Sequence, residues 1–596
     1  MRLALPIIDE RAYRLSMRTL LLASLVAALP GCSCGNGLTG RDRDAAGDGF
    51  ARDANEVYPD GATIPMDLVT LVPGTPADAA MRFMDPPATA GEPAPDLLYP
   101  LDHVLFPRNV WSPDVQWDDA GVAGDLYRVR FSGTPVTLTV YLVHTGAGFG
   151  WDHVVDYPAW RRLTNAAAGR DMQLEVDRWI SSSHTVVRGA PITVSISSAG
   201  IAGAVYYWTL GDFGGTQGRI LRVRQGTEVA PEPENFMPTP PAGSGGDRCA
   251  ACHSLSRDGN HLAASLNDGE FGAVFDLTTD LTVADPTPVF RFDRPWYFAA
   301  FSPDGSRVVI TDPAQNTFLL NGATGAEIAA LPSATHPAWS PDGRQLAIVV
   351  NATDAWNPNA GDLATIAVNA GDTFGATAML HAGASLAAQP EGGGLDCYPS
   401  YSPDSRFVAF QHGTRTLVSA GDAHGALYLT SSAGGPPVRL DHASIGEAFY
   451  PNFTPFITEA TEFTRVYWVL HYSPRDYGNS HVGTRGTGRR QIWVSAVSSD
   501  VGASDPSAVP YWLPGQHTAD ENASAYWAPL PCRATGAGCD TDDQCCGGAC
   551  GNGIGPRECL PPPMCRHEGE SCAVTGNCCE PSLECIGGAC VATGPI

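Results

Sequence analysis

The chain has 596 residues, among them 65 Gly and 49 Pro, and only 17% of it is charged. This abundance of turn formers argues against long helical bundles and coiled coils, which need helix-forming runs with few breakers. The 36 cationic residues are all Arg and face 63 acidic ones, so the net charge of −27 argues against nucleic acid or anionic lipid surfaces as partners. With 43% hydrophobic residues the chain can bury a core, and its length suggests about four units.

The first 31 residues have the features of a signal peptide. Two arginines precede an apolar run at residues 20–29, which is too short to span a bilayer and typical of a signal-peptide core. The run ends at Leu29, Pro30, Gly31 and Cys32. This motif resembles the lipobox of bacterial lipoproteins, although Pro30 departs from the usual residue at its place. The resemblance implies that Cys32 is diacylated, and an ordinary cleaved signal peptide is the alternative.

Residues 32–92 are rich in Gly, Asp, Ala and Pro and show little periodicity, which predicts a flexible tether. No later run reaches the roughly 18 apolar residues of a transmembrane helix. We therefore predict an exported protein at the outer membrane or cell surface, attached through its lipid anchor alone.

Residues 93–225 show the period of half-buried strands. Apolar and polar residues alternate from Trp117 onward, in the runs 127–131, 136–142, 192–196 and 205–208, which predicts an antiparallel β-sandwich. The spacing of Trp117 and Tyr127 resembles fibronectin type III and other immunoglobulin-like domains, a likeness that carries no active residue. Trp151, Trp160 and Trp179 are expected to pack in the core or at a sheet edge, with a sugar-binding surface as the alternative. Residues 226–248 are predicted to be a linker.

A repeat defines residues 249–530. An aromatic residue followed by Ser-Pro-Asp occurs at residues 301–305, 339–343 and 401–405, with degenerate copies at 256–259 and 453–455. Each copy predicts a tight turn between two strands, and the spacing approaches the roughly 40 to 50 residues of one propeller blade. These residues resemble the TolB-type, WD-repeat-like propellers of bacterial envelopes. The resemblance implies an all-β fold with about six blades, within a range of five to seven, and a binding site at a mouth of the central channel.

A short motif inside this region matches a cofactor attachment pattern. In Cys249-Ala250-Ala251-Cys252-His253, two thiols are placed to form thioethers with a c-type haem and the histidine to bind its iron. Met237 and His261 are the distal-ligand candidates by proximity in sequence. The alternatives are a disulfide between Cys249 and Cys252, or between one of them and Cys397, in an oxidising compartment. A zinc site would need a fourth ligand that the sequence does not identify.

The segments 531–560 and 561–596 each contain six cysteines with the same opening, C-x6-C-x5-C-C. This spacing resembles the knottins, small domains that disulfides must staple because they bury too little surface. The resemblance implies pairing of the first cysteine with the fourth, the second with the fifth and the third with the sixth. These pairs are Cys532 with Cys546, Cys539 with Cys550, Cys545 with Cys559, Cys565 with Cys579, Cys572 with Cys585, and Cys578 with Cys590. Zinc binding competes, but adjacent Cys pairs disfavour it.

One loop stands out by its charge. Residues 473–490 contain Arg475, Arg485, Arg489 and Arg490 against a single Asp. Such a loop is predicted to capture a carboxylate or an anionic partner. The alternative is a solvated hairpin tip whose arginines pair with surrounding acids.

The sequence offers no enzyme machinery of a known kind. It contains no G-x-S-x-G elbow, and a chain without Lys has no phosphate-binding G-x-x-x-x-G-K loop. We therefore predict a non-enzymatic, lipid-anchored propeller that binds an envelope protein, peptide or glycan and has no cofactor. The alternative is a redox protein that carries covalent haem c at Cys249, Cys252 and His253. A third idea, protease inhibition by the knottin-like tail, has only scaffold analogy behind it.

Overall fold

The computed structural model describes residues 66–211, 215–416, 423–460, 464–502, 504–533 and 536–539, and short pieces between 545 and 592. The predicted signal peptide and Cys32 lie outside the described residues. Where the chain is described, its regular secondary structure is almost entirely β-strand, as predicted. None of its helices there is both long and apolar enough to cross a membrane.

The first folded region runs from residue 66 to 196. Its strands are β1 (Met66–Leu71), β2 (Asp96–Tyr99), β3 (Val104–Phe106), β4 (Asp114–Asp118), β5 (Leu126–Ser132), β6 (Val136–Val143), β7 (Asp152–Val154), β8 (Arg170–Ile180), β9 (Thr185–Val187) and β10 (Ile192–Ile196), and its helices are α1 (Ala79–Arg82) and α2 (Tyr157–Ala166). One sheet has the order β1-β6-β5-β8-β10-β3, with β9 beside β8, and the other has the order β2-β4-β7. Residues 66–71 thus belong to the folded sandwich, although they lie inside the predicted tether, because β1 pairs in parallel with β6.

Large aromatic side chains fill the space between these sheets. Trp117 of β4 lies against Tyr127 of β5 with ring centroids 5.3 Å apart, so these two residues meet in the core of the sandwich. Trp160 of α2 packs edge-on against Phe131 at 5.5 Å, and its indole nitrogen donates to the Val110 carbonyl at 3.0 Å. These contacts use the aromatic side chains for packing.

The second region is built from the next 23 strands. They are β11 (Gly203–Gly211), β12 (Gly215–Gln225), β13 (Ala250–Leu255), β14 (His261–Leu266), β15 (Phe271–Asp276), β16 (Phe290–Phe292), β17 (Phe298–Phe301), β18 (Arg307–Thr311), β19 (Thr317–Asn321), β20 (Glu327–Leu331), β21 (Thr335–Trp339), β22 (Gln345–Val350), β23 (Ala360–Asn369), β24 (Thr373–His381), β25 (Gly394–Tyr401), β26 (Phe407–Gly413), β27 (Gly425–Ser431), β28 (Val438–Arg439), β29 (Phe449–Glu459), β30 (Arg465–Ser473), β31 (Gln491–Ser498), β32 (Tyr511–Trp512) and β33 (Glu521–Ala528). A single 3-10 helix (Gly383–Leu386) follows β24.

These strands form a six-bladed β-propeller, which confirms the predicted fold. Five blades are consecutive four-stranded units, β13 to β16, β17 to β20, β21 to β24, β25 to β28 and β29 to β32, and a short parallel pairing of β23 with β25 joins the third and fourth into one sheet. The sixth blade has the order β33-β11-β12. The innermost strands β13, β17, β21, β25, β29 and β33 contact one another in that order, and β33 contacts β13. The ring is therefore closed.

The sixth blade differs from the domain boundaries that the sequence predicted. Residues 205–208 were assigned to the sandwich, but their strand β11 pairs with β33, with Val205 opposite Trp527. The side chain of Thr209 donates to Asn522 Oδ1 at 2.8 Å inside this pair. Alternation of apolar and polar residues marks a two-faced strand but says nothing of its partner, so the sequence pattern fitted either sheet.

The Ser-Pro-Asp repeat is a turn that closes on itself. The Ser302 hydroxyl donates to Asp304 at 2.6 Å and accepts from the Arg307 backbone nitrogen at 3.0 Å. The same serine–aspartate bond recurs at 2.5 to 2.7 Å in the turns of Ser256, Ser340 and Ser402. Gly305 has a φ of 69°, which an L side chain rarely adopts. The motif is therefore structural, as predicted.

The sandwich packs on the fifth blade. Tyr99 of β2 contacts Tyr477 with ring centroids 4.8 Å apart, and Phe106 of β3 contacts Tyr511 of β32 at 5.7 Å. Buried residues of both regions belong to one hydrophobic cluster. The segment 473–490, which contains Tyr477, lies between the sandwich and the fifth blade.

The cysteine-rich region contains the strands β34 (Cys550–Gly551), β35 (Glu558–Cys559), β36 (Leu583–Ile586) and β37 (Ala589–Ala592). Cys545 forms a disulfide with Cys559, the third-to-sixth pair that the knottin resemblance implies, and Cys532 and Cys539 are disulfide-bonded as well. Cys546 lies outside the described residues. The same is true of four cysteines in the second set of six, with the pairings that the resemblance implies for them: Cys565, Cys572, Cys578 and Cys579. The backbone nitrogen of Cys532 donates to Asn260 Oδ1 at 3.0 Å, which ties this region to the first blade.

Candidate functional site

Each blade has one residue at the same place of its innermost strand, and four of the six line a small cavity in the central channel. Each stands four positions before the motif Ser, or at the corresponding place of an innermost strand without that motif: Cys252, Phe298, His336, Tyr398, Tyr450 and Ser524. All but Phe298 have a φ between 39° and 58°, and the strand pairing shifts register there. Such bulges re-aim a side chain. The sequence did not lead us to predict this ring, although its fixed offset from the repeat is a usable signal.

The members of this ring pack closely. His336 lies 4.2 Å from both Phe298 and Tyr398, measured between ring centroids. Tyr398 and Tyr450 are 3.8 Å apart. Neither ring nitrogen of His336 has a hydrogen-bond partner in the part of the chain that the structure describes, and burial lowers its pKa to about 3. His336 is therefore neutral at pH 7.

His253 of the haem-like motif is buried beside this ring. It is 1% exposed, and its Nε2 lies 3.2 Å from the Tyr206 carbonyl oxygen. Burial lowers its pKa to about 4, so at pH 7 the neutral ring donates from Nε2 to that oxygen. A cavity of about 20 Å³ lies between His253, His336 and the tyrosines of the ring, room for one water.

These residues do not fit a covalent haem. The motif forms strand β13, and the nitrogen of His253 that would bind iron is engaged by a backbone carbonyl. The adjoining space of about 20 Å³ is far smaller than a porphyrin. Cys249, Cys252 and Cys397 are free thiols, so neither disulfide alternative is present, and burial raises the pKa of each thiol.

The described residues do not provide a site for a metal ion either. In the described parts of the chain, the only His, Cys, Asp and Glu side chains grouped at ligand spacing are those of Cys539, Cys545 and Cys559. All three of these cysteines are disulfide-bonded, so their sulfurs carry no thiolate for zinc.

Expression in a periplasm with haem-attachment machinery is expected to yield a colourless protein. The absorption spectrum should lack a Soret band, and the intact mass should show no gain of one haem, because His253 Nε2 is already engaged. A c-type cytochrome from the same strain serves as the positive control. A Soret band that Cys249→Ala and Cys252→Ala remove would contradict this expectation.

The channel opens at the Ser-Pro-Asp turns into a cavity of about 160 Å³. Aromatic and proline side chains dominate its wall, namely Phe301, Trp339, Tyr401, Phe453, Trp527, Pro303, Pro341 and Pro455. Ala299, Pro337, Pro399, Asn452 and Tyr526 line both this cavity and the smaller one below it. The two cavities are therefore one funnel, hereafter the mouth funnel, that narrows towards His336.

Arg257 is the only charged residue among those that line the upper cavity. It belongs to the first blade and occupies the place that other repeats fill with Pro303, Pro341, Pro403 and Pro455. Its Nη2 donates to the carbonyl oxygens of Pro403 at 3.3 Å and Pro455 at 3.2 Å, so the guanidinium reaches across the mouth to the fourth and fifth blades. Burial lowers its pKa.

Three of the four arginines in the cationic loop 473–490 bind groups of the chain itself. Arg475 is 8% exposed, and its Nη2 donates to the Ala443 carbonyl at 2.7 Å. Burial lowers its pKa to about 9. Arg490 pairs with Glu521 at 2.9 Å, and Arg485 pairs with Asp118 of the sandwich. Of the four arginines predicted to capture a partner, these three have partners inside the chain, and Arg489 is half-buried.

The same loop holds the sandwich to the propeller. The Asn479 side chain is fully buried, and its Nδ2 donates to the carbonyl oxygens of Gly150 at 2.8 Å and Trp151 at 3.0 Å. Its backbone nitrogen donates to Gln116 Oε1 at 3.0 Å. The loop therefore connects the two regions, a role that its charge pattern does not reveal.

The fold and site define a six-bladed propeller with a β-sandwich and a disulfide-bonded C-terminal region. No protein-family model matches the chain, and no curated protein sequence does. Among solved structures, a chain of the crystal structure of the mitotic checkpoint complex is similar, with 11% identity and a TM-score of 0.26. That match covers 58% of this chain and 87% of the other. A likeness of this strength carries no argument about function.

Proposed function

We propose that this chain is a non-enzymatic, lipid-anchored binding protein of the bacterial cell envelope. Its propeller would hold a partner, a protein or peptide in preference to a glycan, at the mouth funnel. The observation that carries the proposal is the aromatic and proline-rich wall of this funnel around Arg257. Aromatic side chains with an adjoining Arg are the residue types that dominate binding hot spots. The TolB-type resemblance of the repeat and the lipobox-like motif at Cys32 support the envelope location.

The polar groups at the mouth support binding rather than catalysis. The Ser256 hydroxyl donates to Asp258 within its own turn. The Ser400 hydroxyl accepts from the Phe453 backbone nitrogen at 3.0 Å. Neither is paired with a histidine base in these contacts, which a nucleophilic serine needs. These two hydroxyls are therefore engaged within the chain.

Filling the mouth funnel is expected to abolish partner capture. Ala338 is half-buried and lines the funnel, so Ala338→Trp would place an indole in the space that a partner needs. Ala330→Trp, on the exposed outer strand β20 of the second blade, is the matched control. Pull-downs from envelope extract should recover the same partners with the wild type and the control, and none of them with Ala338→Trp. Unchanged partners for all three proteins would remove the mouth funnel from the proposal.

The lipid anchor is tested at Cys32, which lies outside the described residues. Labelling cells with radioactive palmitate should mark the wild-type protein, and Cys32→Ala should abolish the label and release the chain from the membrane fraction. Cys34→Ala, two residues away, should keep both. Equal labelling of Cys32→Ala and the wild type would contradict the proposal of an anchor at this residue.

A further inference from the structure

We infer that the mouth funnel recognises the free C-terminal carboxylate of a polypeptide whose last side chain is apolar, with Arg257 as the residue that binds the carboxylate. The inference rests on the proposed function of the funnel as the binding site. It adds the chemistry of the ligand and the residue that selects it.

The repeat makes Arg257 an exception. A turn of this kind needs only a backbone that proline presets, and the other four copies have proline at this place. The first blade instead has a long cationic side chain there, and that side chain spans the mouth from Ser256 to Pro403 and Pro455. The turn itself closes in the same way, since Ser256 still donates to Asp258. The arginine is therefore not required by the turn.

The charge of Arg257 is not balanced by the chain itself. Its hydrogen bonds reach two backbone carbonyls, and none of the ion pairs seen in the described residues includes it, although the chain carries a net charge of −27. The turn aspartates nearest to the mouth are engaged by their own serines, as in Ser340 with Asp342 and Ser402 with Asp404. A partly desolvated guanidinium bound only by carbonyls gains most from a carboxylate, which accepts charge-assisted bonds from it.

The shape of the funnel favours a chain end over a chain segment. The upper cavity of about 160 Å³ narrows to about 20 Å³ above His336, so a ligand that enters cannot pass through. By the measure that gives the lower cavity room for one water, a volume of about 160 Å³ holds on the order of ten waters, which is space for one large apolar side chain with the carboxylate beside it. Trp339, Tyr401 and Trp527 line the space beside Arg257 and present apolar surface to such a side chain.

The test uses the mature chain and short peptides as probes. N-acetylated tetrapeptides that end in Leu, Phe, Val or Trp are titrated as free acids and as C-terminal amides, with binding followed by calorimetry. The best acid is expected to bind roughly ten- to hundred-fold more tightly than its amide, the range for one charge-assisted pair in a partly buried site.

Two variants separate the arginine from the fold. Arg257→Pro inserts the residue that the other repeats have at this place, so the turn should form and the preference for the acid should disappear. Arg344→Ala, at an exposed arginine of the third-blade turn outside the funnel, should keep the preference. Unfolding curves of both variants report whether the propeller is intact.

Three results would overturn the inference. Equal binding of acid and amide to the wild type would remove the carboxylate but leave the funnel as a binding site. A preference for the acid that survives in Arg257→Pro would remove the arginine. No binding of any acid at millimolar concentration would remove the peptide terminus as the ligand, whereas the proposed function is decided separately by the Ala338→Trp pull-down.

Discussion

A chain that ends after residue 520 is expected not to form the propeller, whereas a chain that ends after residue 530 is expected to form it. The first truncation removes β33, which is the innermost strand of the sixth blade and the partner of β11. It also removes Trp527, which is 5% exposed and donates to the Ala202 carbonyl at 2.9 Å. An open ring would leave the inner edge of β11 unpaired, and it would expose to water the apolar side of β13 that contacts β33.

The expected loss is the whole free energy of unfolding of the propeller, roughly 5 to 15 kcal/mol for a domain. Circular dichroism and urea unfolding should show a cooperative transition for the chain ending after residue 530 and none of propeller size for the shorter one. The chain that ends after residue 530 is the matched control, because it also lacks the cysteine-rich region but keeps β33. Equal transitions for the two chains would show that β33 does not close the ring.

His336→Phe is expected to make the protein more resistant to acid. Burial lowers the pKa of His336 to about 3, below the roughly 6.5 of an unfolded histidine. A depressed folded pKa means that the unfolded chain binds the proton first, so stability is fully present above about pH 6.5 and is lost as the pH falls towards 3. Near pH 4.5 this group alone should cost about 2 to 3 kcal/mol, and the variant should be free of that cost.

Urea unfolding at pH 7.5 and near pH 4.5 measures this difference. Phenylalanine suits the site because an aromatic residue holds the same ring position with the same backbone conformation in the fourth and fifth blades, where Tyr398 has a φ of 51° and Tyr450 a φ of 58°. His103→Phe is the matched control. His103 is exposed, and its φ of 63° is positive like that of His336, so both substitutions place phenylalanine in the same backbone conformation. An acid sensitivity that is the same in the wild type and His336→Phe would show that this histidine is protonated without cost.

The blades could be predicted from the sequence because their signal is local. Each Ser-Pro-Asp turn is closed by its own side chains, as the bonds of Ser302 to Asp304 and Arg307 show, so the motif specifies the structure around it. The sixth blade could not be predicted in the same way, because β11 and β33 are joined by a pairing of residues more than 300 positions apart. Alternation identified both strands but not their partnership.

The candidate site was predicted in part. The resemblance of the repeat indicated a channel mouth, but the haem-like motif is a pattern of residue types that takes its meaning from the surrounding fold. Here Cys252 and His253 lie on a bulged strand, and His253 is bonded to a carbonyl of the sixth blade. The cationic loop was visible as charge, yet its partner Asp118 is over 360 positions away. The sequence shows Arg257 as a departure from proline. Its role depends on its contacts with Pro403 and Pro455 of the fourth and fifth blades, which only the structure shows.

The sixth blade combines the first two strands of the propeller, β11 and β12, with its last strand, β33, and this order affects how the chain folds. The hairpin of β11 and β12 is made early in synthesis, and its inner edge remains unpaired until β33 has been made. Contacts of such long separation slow folding, and an unpaired strand edge invites aggregation in the meantime. The propeller therefore cannot complete itself blade by blade as the chain emerges. Its closure is a late event, and chaperones that shield strand edges are expected to act on this protein.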